Sequence, residues 1–210
     1  MTWYDVANSV LIIYIWANLL TVVKQFFTKR KYWLIFFFIY SFIELLSIPM
    51  AVKGYNNLLL YYISKPLEFI FISSYFFEVL AFKKNIRLTA FVLTIVLSLA
   101  FLFTNHSDEY TSLGQMVYTC CILTYCIIYF YRIAASEEFI RLDQSEFWYC
   151  TGLFVFFGVN ICADAPMNFL IKNYPDIARK LFYLIIANSI IFYLLTLYAI
   201  RNEKTRLTDA

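Results

Sequence analysis

Apolar residues run along this chain in long unbroken blocks, with polar residues collected in short stretches between them. Runs such as Leu34-Ile35-Phe36-Phe37-Phe38-Ile39 are apolar at every position. They therefore lack both the alternation of a half-buried strand and the single stripe of a surface helix. A helix of about 20 largely apolar residues crosses the hydrocarbon of a bilayer. Seven segments approach or exceed that length: 6–23, 32–51, 57–82, 88–104, 111–131, 147–170 and 180–200. The predicted fold is all-α, an integral membrane seven-helix bundle forming a single domain over residues 1–210. A membrane β-barrel is excluded by the same runs, because its strands alternate between lipid-facing and lumen-facing positions.

Composition agrees. Hydrophobic residues make up 62% of the chain, aromatics 21% and charged residues 15%, with 23 Phe and 18 Tyr against 4 Gly. A soluble domain of this size could not hide so much apolar surface, and a disordered chain would not carry it. The first block reads as a transmembrane helix rather than a cleavable signal, since Met1-Thr2-Trp3-Tyr4-Asp5 lacks a basic leader.

The few charges carry the topology. Lys24, Lys29, Arg30, Lys31, Lys83, Lys84, Arg87, Arg132, Arg141, Arg201, Lys204 and Arg206 fall in the loops of one side and the C-terminal tail. Only Lys53, Lys172, Arg179 and Lys180 fall on the other. The positive-inside rule then places the N-terminus outside and the C-terminus in the cytoplasm. The formal charge of +3 follows from this asymmetry, and no nucleic-acid partner is implied. In the long fifth connection, 132–146, Ser136 is placed to cap a short helix opening with Glu137 and Glu138. Phe139, Ile140 and Leu142 would then face lipid headgroups or a partner.

The second and sixth spans read alike. The second opens on Tyr32-Trp33 and reaches Pro49-Met50, while the sixth opens on Phe147-Trp148 and reaches Pro166-Met167. An acidic residue precedes each proline, Glu44 and Asp164. This likeness raises a three-plus-one-plus-three parallel repeat as one arrangement of the seven helices.

Ionisable and strongly polar residues inside a membrane are costly, and each is a candidate for function. Here they are Glu44, Lys65, Glu68, Asp164 and Asn188, all placed in the outer half of the bilayer or near its midplane. Lys65 and Glu68 are three residues apart and share a helix face. Pro66 between them removes one backbone hydrogen bond, and a helix kink is expected there, as at Pro49 and Pro166. One reading makes this an ion pair, Lys65 with Glu68 or with Glu44, that locks two helices. Another makes it a polar pocket, open to the outside, for a small molecule, a lipid headgroup or a proton. A third lets Lys65 snorkel to the interface. Three carboxyls against one ammonium leave the cluster formally negative, which favours a cation or a protonated carboxyl.

No metal or cofactor is expected. The one histidine, His106, lies in a loop, and the cysteines Cys120, Cys121, Cys126, Cys150 and Cys162 contain no C-x-x-C. There is no phosphate-binding loop and no nucleophile elbow. The last span has no lysine for a Schiff base. Nothing in the spacing calls for catalysis.

The segments Ile43-Glu44-Leu45, Pro66-Leu67-Glu68-Phe69, Phe147-Trp148 and Gly152-Leu153 give the chain a resemblance to short seven-transmembrane-helix proteins of unassigned function common in Bacteroidota. Some of those proteins sit near signalling genes. The resemblance implies a sensory module of a bacterial cytoplasmic (inner) membrane and supports Glu44 and Glu68, but not Lys65, as site residues. The leading expectation is a non-enzymatic, receptor-like sensor. It would bind a ligand among Glu44, Lys65, Glu68, Asp164 and Asn188 and signal to a cytoplasmic partner or a second copy, with membrane lipids as its surroundings. The alternatives are a small-molecule or proton-coupled transporter, a lipid-modifying enzyme and a pore-forming effector.

Overall fold

The computed structural model describes residues 3–25, 38–43, 46–47, 50, 58–104, 112–135 and 144–208. Among them the regular structure is entirely helical. Helix α1 is Trp3–Gln25; the helical positions 38–43, 46–47 and 50 are grouped as α2. Then follow α3 (Leu58–Val79), α4 (Lys84–Thr104), α5 (Ser112–Ala135), α6 (Ser145–Asp164), α7 (Met167–Asn173) and α8 (Pro175–Thr208). Four stretches, Lys84–Phe101, Gly114–Ala135, Ser145–Asp164 and Pro175–Asn202, are long and apolar enough to cross a membrane.

The distribution of side chains is that of a bundle bathed in lipid. Large apolar groups point outward, including Trp16, Phe42, Leu88 and Leu194. Small polar groups lie inside, among them Thr21, Ser73, Thr94, Ser98, Thr119 and Thr196. Water would favour the reverse. In hydrocarbon, apolar surface costs nothing to expose, and each hydroxyl needs an acceptor. Many hydroxyls return to the carbonyl one turn back: Thr21 to Ala17 at 2.7 Å, Thr94 to Ala90 at 2.8 Å, Ser98 to Thr94 at 2.8 Å and Thr151 to Phe147 at 2.7 Å.

Helix α8 lies between α1 and α6; α5 bridges α6 and α3, and α4 lies against α3. Aromatic rings join the elements. Tyr14 of α1 meets Tyr193 of α8 at 5.7 Å between centroids. Tyr118 of α5 is stacked between Phe69 of α3 at 4.5 Å and Phe101 of α4 at 4.9 Å. Between α6 and α8 the contacts run antiparallel through Trp148 with Tyr198, Phe156 with Phe192, and Asn160 with Asn188.

Two features of the sequence reading are corrected. The span expected over 147–170 is two elements, because α6 stops at Asp164 and α7 begins at Met167. Pro166 has no N–H for the carbonyl of Cys162, so the helical ladder ends there, and Leu170 N–H restarts it on the Pro166 carbonyl at 2.9 Å. The last helix, expected over 180–200, starts earlier, with Pro175 at its first position where a missing N–H costs nothing, and runs on to Thr208. Pro66 lies inside α3, which is continuous from Leu58 to Val79. Pro49, the connection 136–143 and His106 lie outside the described residues.

The end of α3 is held by a turn and an arginine. Leu80 N–H donates to Phe76 O at 2.9 Å and Ala81 N–H to Glu78 O at 3.0 Å, with Ala81 at φ 44°. That left-handed conformation is usually glycine's at a helix end. Arg132, in the last turn of α5, donates from its guanidinium to the Leu80 carbonyl and lies 5.6 Å from the centre of the Phe82 ring. Its positive charge thus meets the carbonyl end of α3. Relieving the strained residue with Ala81→Gly should stabilise the protein by about 1 kcal/mol. A rise in melting temperature in detergent would show it; an unchanged or lower value would mean that the strain is not there.

Candidate functional site

The turn of α3 that carries Ser64, Lys65 and Glu68 faces α2. Glu68 is buried at 6% exposure, and Lys65 is largely covered at 17%. Of the two partners open to Lys65 from sequence, the structure shows Glu68, with Nζ donating to Oε2 at 2.8 Å. Glu44 lies outside the described residues. The three-residue spacing brings the two groups together on one face, and Pro66, itself buried between them, cannot donate to the Tyr62 carbonyl.

Helix α2 supplies the opposite wall. The Tyr40 ring centre is 6.0 Å from the Lys65 ammonium, at the long end of a cation–π contact. Ile39, Tyr40 and Ile43 face Ser64, Leu67, Glu68 and Phe71 across a narrow cleft. It has room for about one water molecule. Ser47 and Tyr61 hydroxyls, 3.0 Å apart, tie the same two helices together, and the Ser41 hydroxyl donates to Asn18 Oδ1 of α1. The cleft is thus apolar along its walls with one ion pair at its edge. An ammonium and a carboxylate side by side can meet a polar or zwitterionic group, but between the walls there is room for no more than a water molecule.

The remaining predicted residues lie between α6 and α8. Asn188 Nδ2 donates to the Phe156 carbonyl at 2.9 Å and to Asn160 Oδ1 at 2.9 Å. A carbonyl can only accept, so this fixes which end of the Asn188 amide faces α6. Its Oδ1 is buried with no hydrogen-bond donor among the described residues. Asp164, at 4% exposure, is the last residue of α6, one turn beyond Asn160 on the same face. The sequence reading placed Asp164 six residues from the outer end of a span; it stands at a helix end because Pro166 stops α6. Replacing Asn188 with leucine should cost about 1–2 kcal/mol by removing the interhelical bonds. Unfolding in detergent measures this, and a variant as stable as the parent would show that the amide pair contributes nothing.

Sequence reasoning missed Tyr40 and the partnership of Asn160 with Asn188. The signal for the second was present, as two amides in separate spans, but the register joining them was not. Among the described residues no three His, Cys, Asp or Glu come together in a way that could hold a metal ion. No protein-family profile, curated protein or solved structure matches the chain.

Proposed function

We propose that this chain is a sensor-like membrane module of seven spans, seated in a bacterial cytoplasmic membrane with its N-terminus outside. It recognises a small molecule through a polar site built on Lys65 and Glu68, with Glu44 joining from the second span. The signal passes to a cytoplasmic partner or a second copy through the 132–146 connection. The observation that carries this reading is the Lys65–Glu68 pair, its carboxylate buried, at the edge of an apolar cleft between two helices. An ionisable pair at such a depth is expensive, which favours a functional use for it. The positive-inside asymmetry of the loops supports the orientation. The resemblance to Bacteroidota seven-helix proteins supports the sensory role.

The test is a thermal-shift screen of the purified chain against zwitterionic, anionic and cationic small molecules. The proposal expects at least one class to stabilise the native chain and to fail on both Glu68→Gln and Glu44→Gln. Variants responding like the parent to every stabilising compound would overturn it. A second reading, a transporter of the three-plus-one-plus-three kind, draws on the break at Pro166 next to the buried carboxyl of Asp164. It predicts that the chain in proteoliposomes dissipates an imposed pH gradient and that Asp164→Asn abolishes the leak. The sensor predicts no leak.

A further inference from the structure

Beyond the sensor reading, the α7 corner raises a separate question of what covers it. Helix α6 has 20 residues and is about 30 Å long, which equals the thickness of the hydrocarbon. If α6 crosses the hydrocarbon, Asp164 therefore lies near one boundary. The antiparallel register of α6 with α8, Phe156 to Phe192 and Asn160 to Asn188, puts Asp164 level with about Leu184. The start of α8, from Pro175 to Tyr183, then rises about 13 Å beyond the end of α6. Helix α7 packs against α8, with Met167 and, on α8, Ala178 buried.

The outward surface of this corner is not a water-facing one. Phe169 is 58% exposed, and Tyr174 and Ile177 are each 52% exposed. The rings of Phe169 and Tyr174 pair at 5.9 Å. Lys172, Asp176 and Arg179 are exposed among them. Aromatic and aliphatic groups interleaved with charge, on a short helix at the end of a span, suit the boundary between acyl chains and headgroups. Both flanking helices are spans, so the corner is continuous with the lipid-facing surface.

We propose that α7 forms an interfacial anchor, with Phe169 seated in the headgroup–acyl boundary of the leaflet at the Asp164 end. The occupant of this surface is lipid.

The test uses the full-length chain with Phe169→Trp in phosphatidylcholine vesicles, with the unchanged chain measured in parallel to subtract its own tryptophans. The added fluorescence should be quenched roughly twofold more by lipids brominated near the headgroup than by lipids brominated near the chain end, as for a ring buried about 5–10 Å. Aqueous iodide should have little effect. Strong quenching by iodide with none by bromolipid would place the ring in water and overturn the anchor. Protection from both quenchers would place it under protein, a second copy included, and would overturn it equally. Ile171→Trp, 49% exposed on the same helix and read in the same way, serves if Phe169→Trp does not fold.

Discussion

The Glu68→Ala protein is expected to unfold below the parent in mild detergent, with a loss of about 1.5–3 kcal/mol. The change leaves the Lys65 ammonium, only 17% exposed, without the carboxylate now 2.8 Å from it. Removing the other partner by Lys65→Met should also cost stability, because it leaves the Glu68 carboxyl, at 6% exposure, without that ammonium. The double change Lys65→Met with Glu68→Leu removes both charges and should regain most of the lost stability. Melting curves of the four proteins decide the matter. If Glu68→Ala melts with the parent, the pair does not hold α3 in place.

Gly152→Leu should be similarly damaging. A Cβ at residue 152 would lie 3.3 Å from Phe192 Cδ2 and 3.4 Å from the Cβ of Leu195. Alanine fits there only if the ring gives by a few tenths of an ångström. Leucine adds three more carbons and must push α6 away from α8. The separation would spread to the Phe156–Phe192 ring contact at 5.1 Å and to the Asn160–Asn188 bond. A loss of about 3 kcal/mol is expected, at the upper end for overpacking. Gly158, on the same helix, provides the control, since nothing lies within 4 Å of a Cβ built there. Gly158→Leu should melt close to the parent. Equal losses at both glycines would mean that the close approach to Phe192 does not set the cost, since leucine for glycine raises helix propensity at either site.

The helices were legible in the sequence because lipid demands long apolar blocks, and such blocks have few alternative structures. Their inward faces were far less legible. In water an apolar stripe marks the inner face, but here both faces are apolar. The inner face shows instead in sparse small polar residues such as Thr94 and Ser98 on α4, or Gln115 and Thr119 on α5. The Lys65–Glu68 pair could be read from its spacing because both partners lie on one helix. Tyr40 could not, since its contact depends on how α2 and α3 are set against each other. Pro166 was visible as a perturbation, but the sequence did not distinguish a bent helix from the end of one. That distinction moved Asp164 from the interior of a span to its tip.

Helix α8 is one continuous rod from Pro175 to Thr208, 34 residues and about 51 Å long. Its near end is clasped by α7, and its middle is gripped by α1 on one side and α6 on the other. A stiff lever pivoting at such a grip moves its two ends in opposite directions. A tilt of about 5° about its centre would sweep Thr208 through ~2 Å, with an equal and opposite stroke at Pro175. Displacement at one membrane surface would thus reach the other without any loop having to carry it.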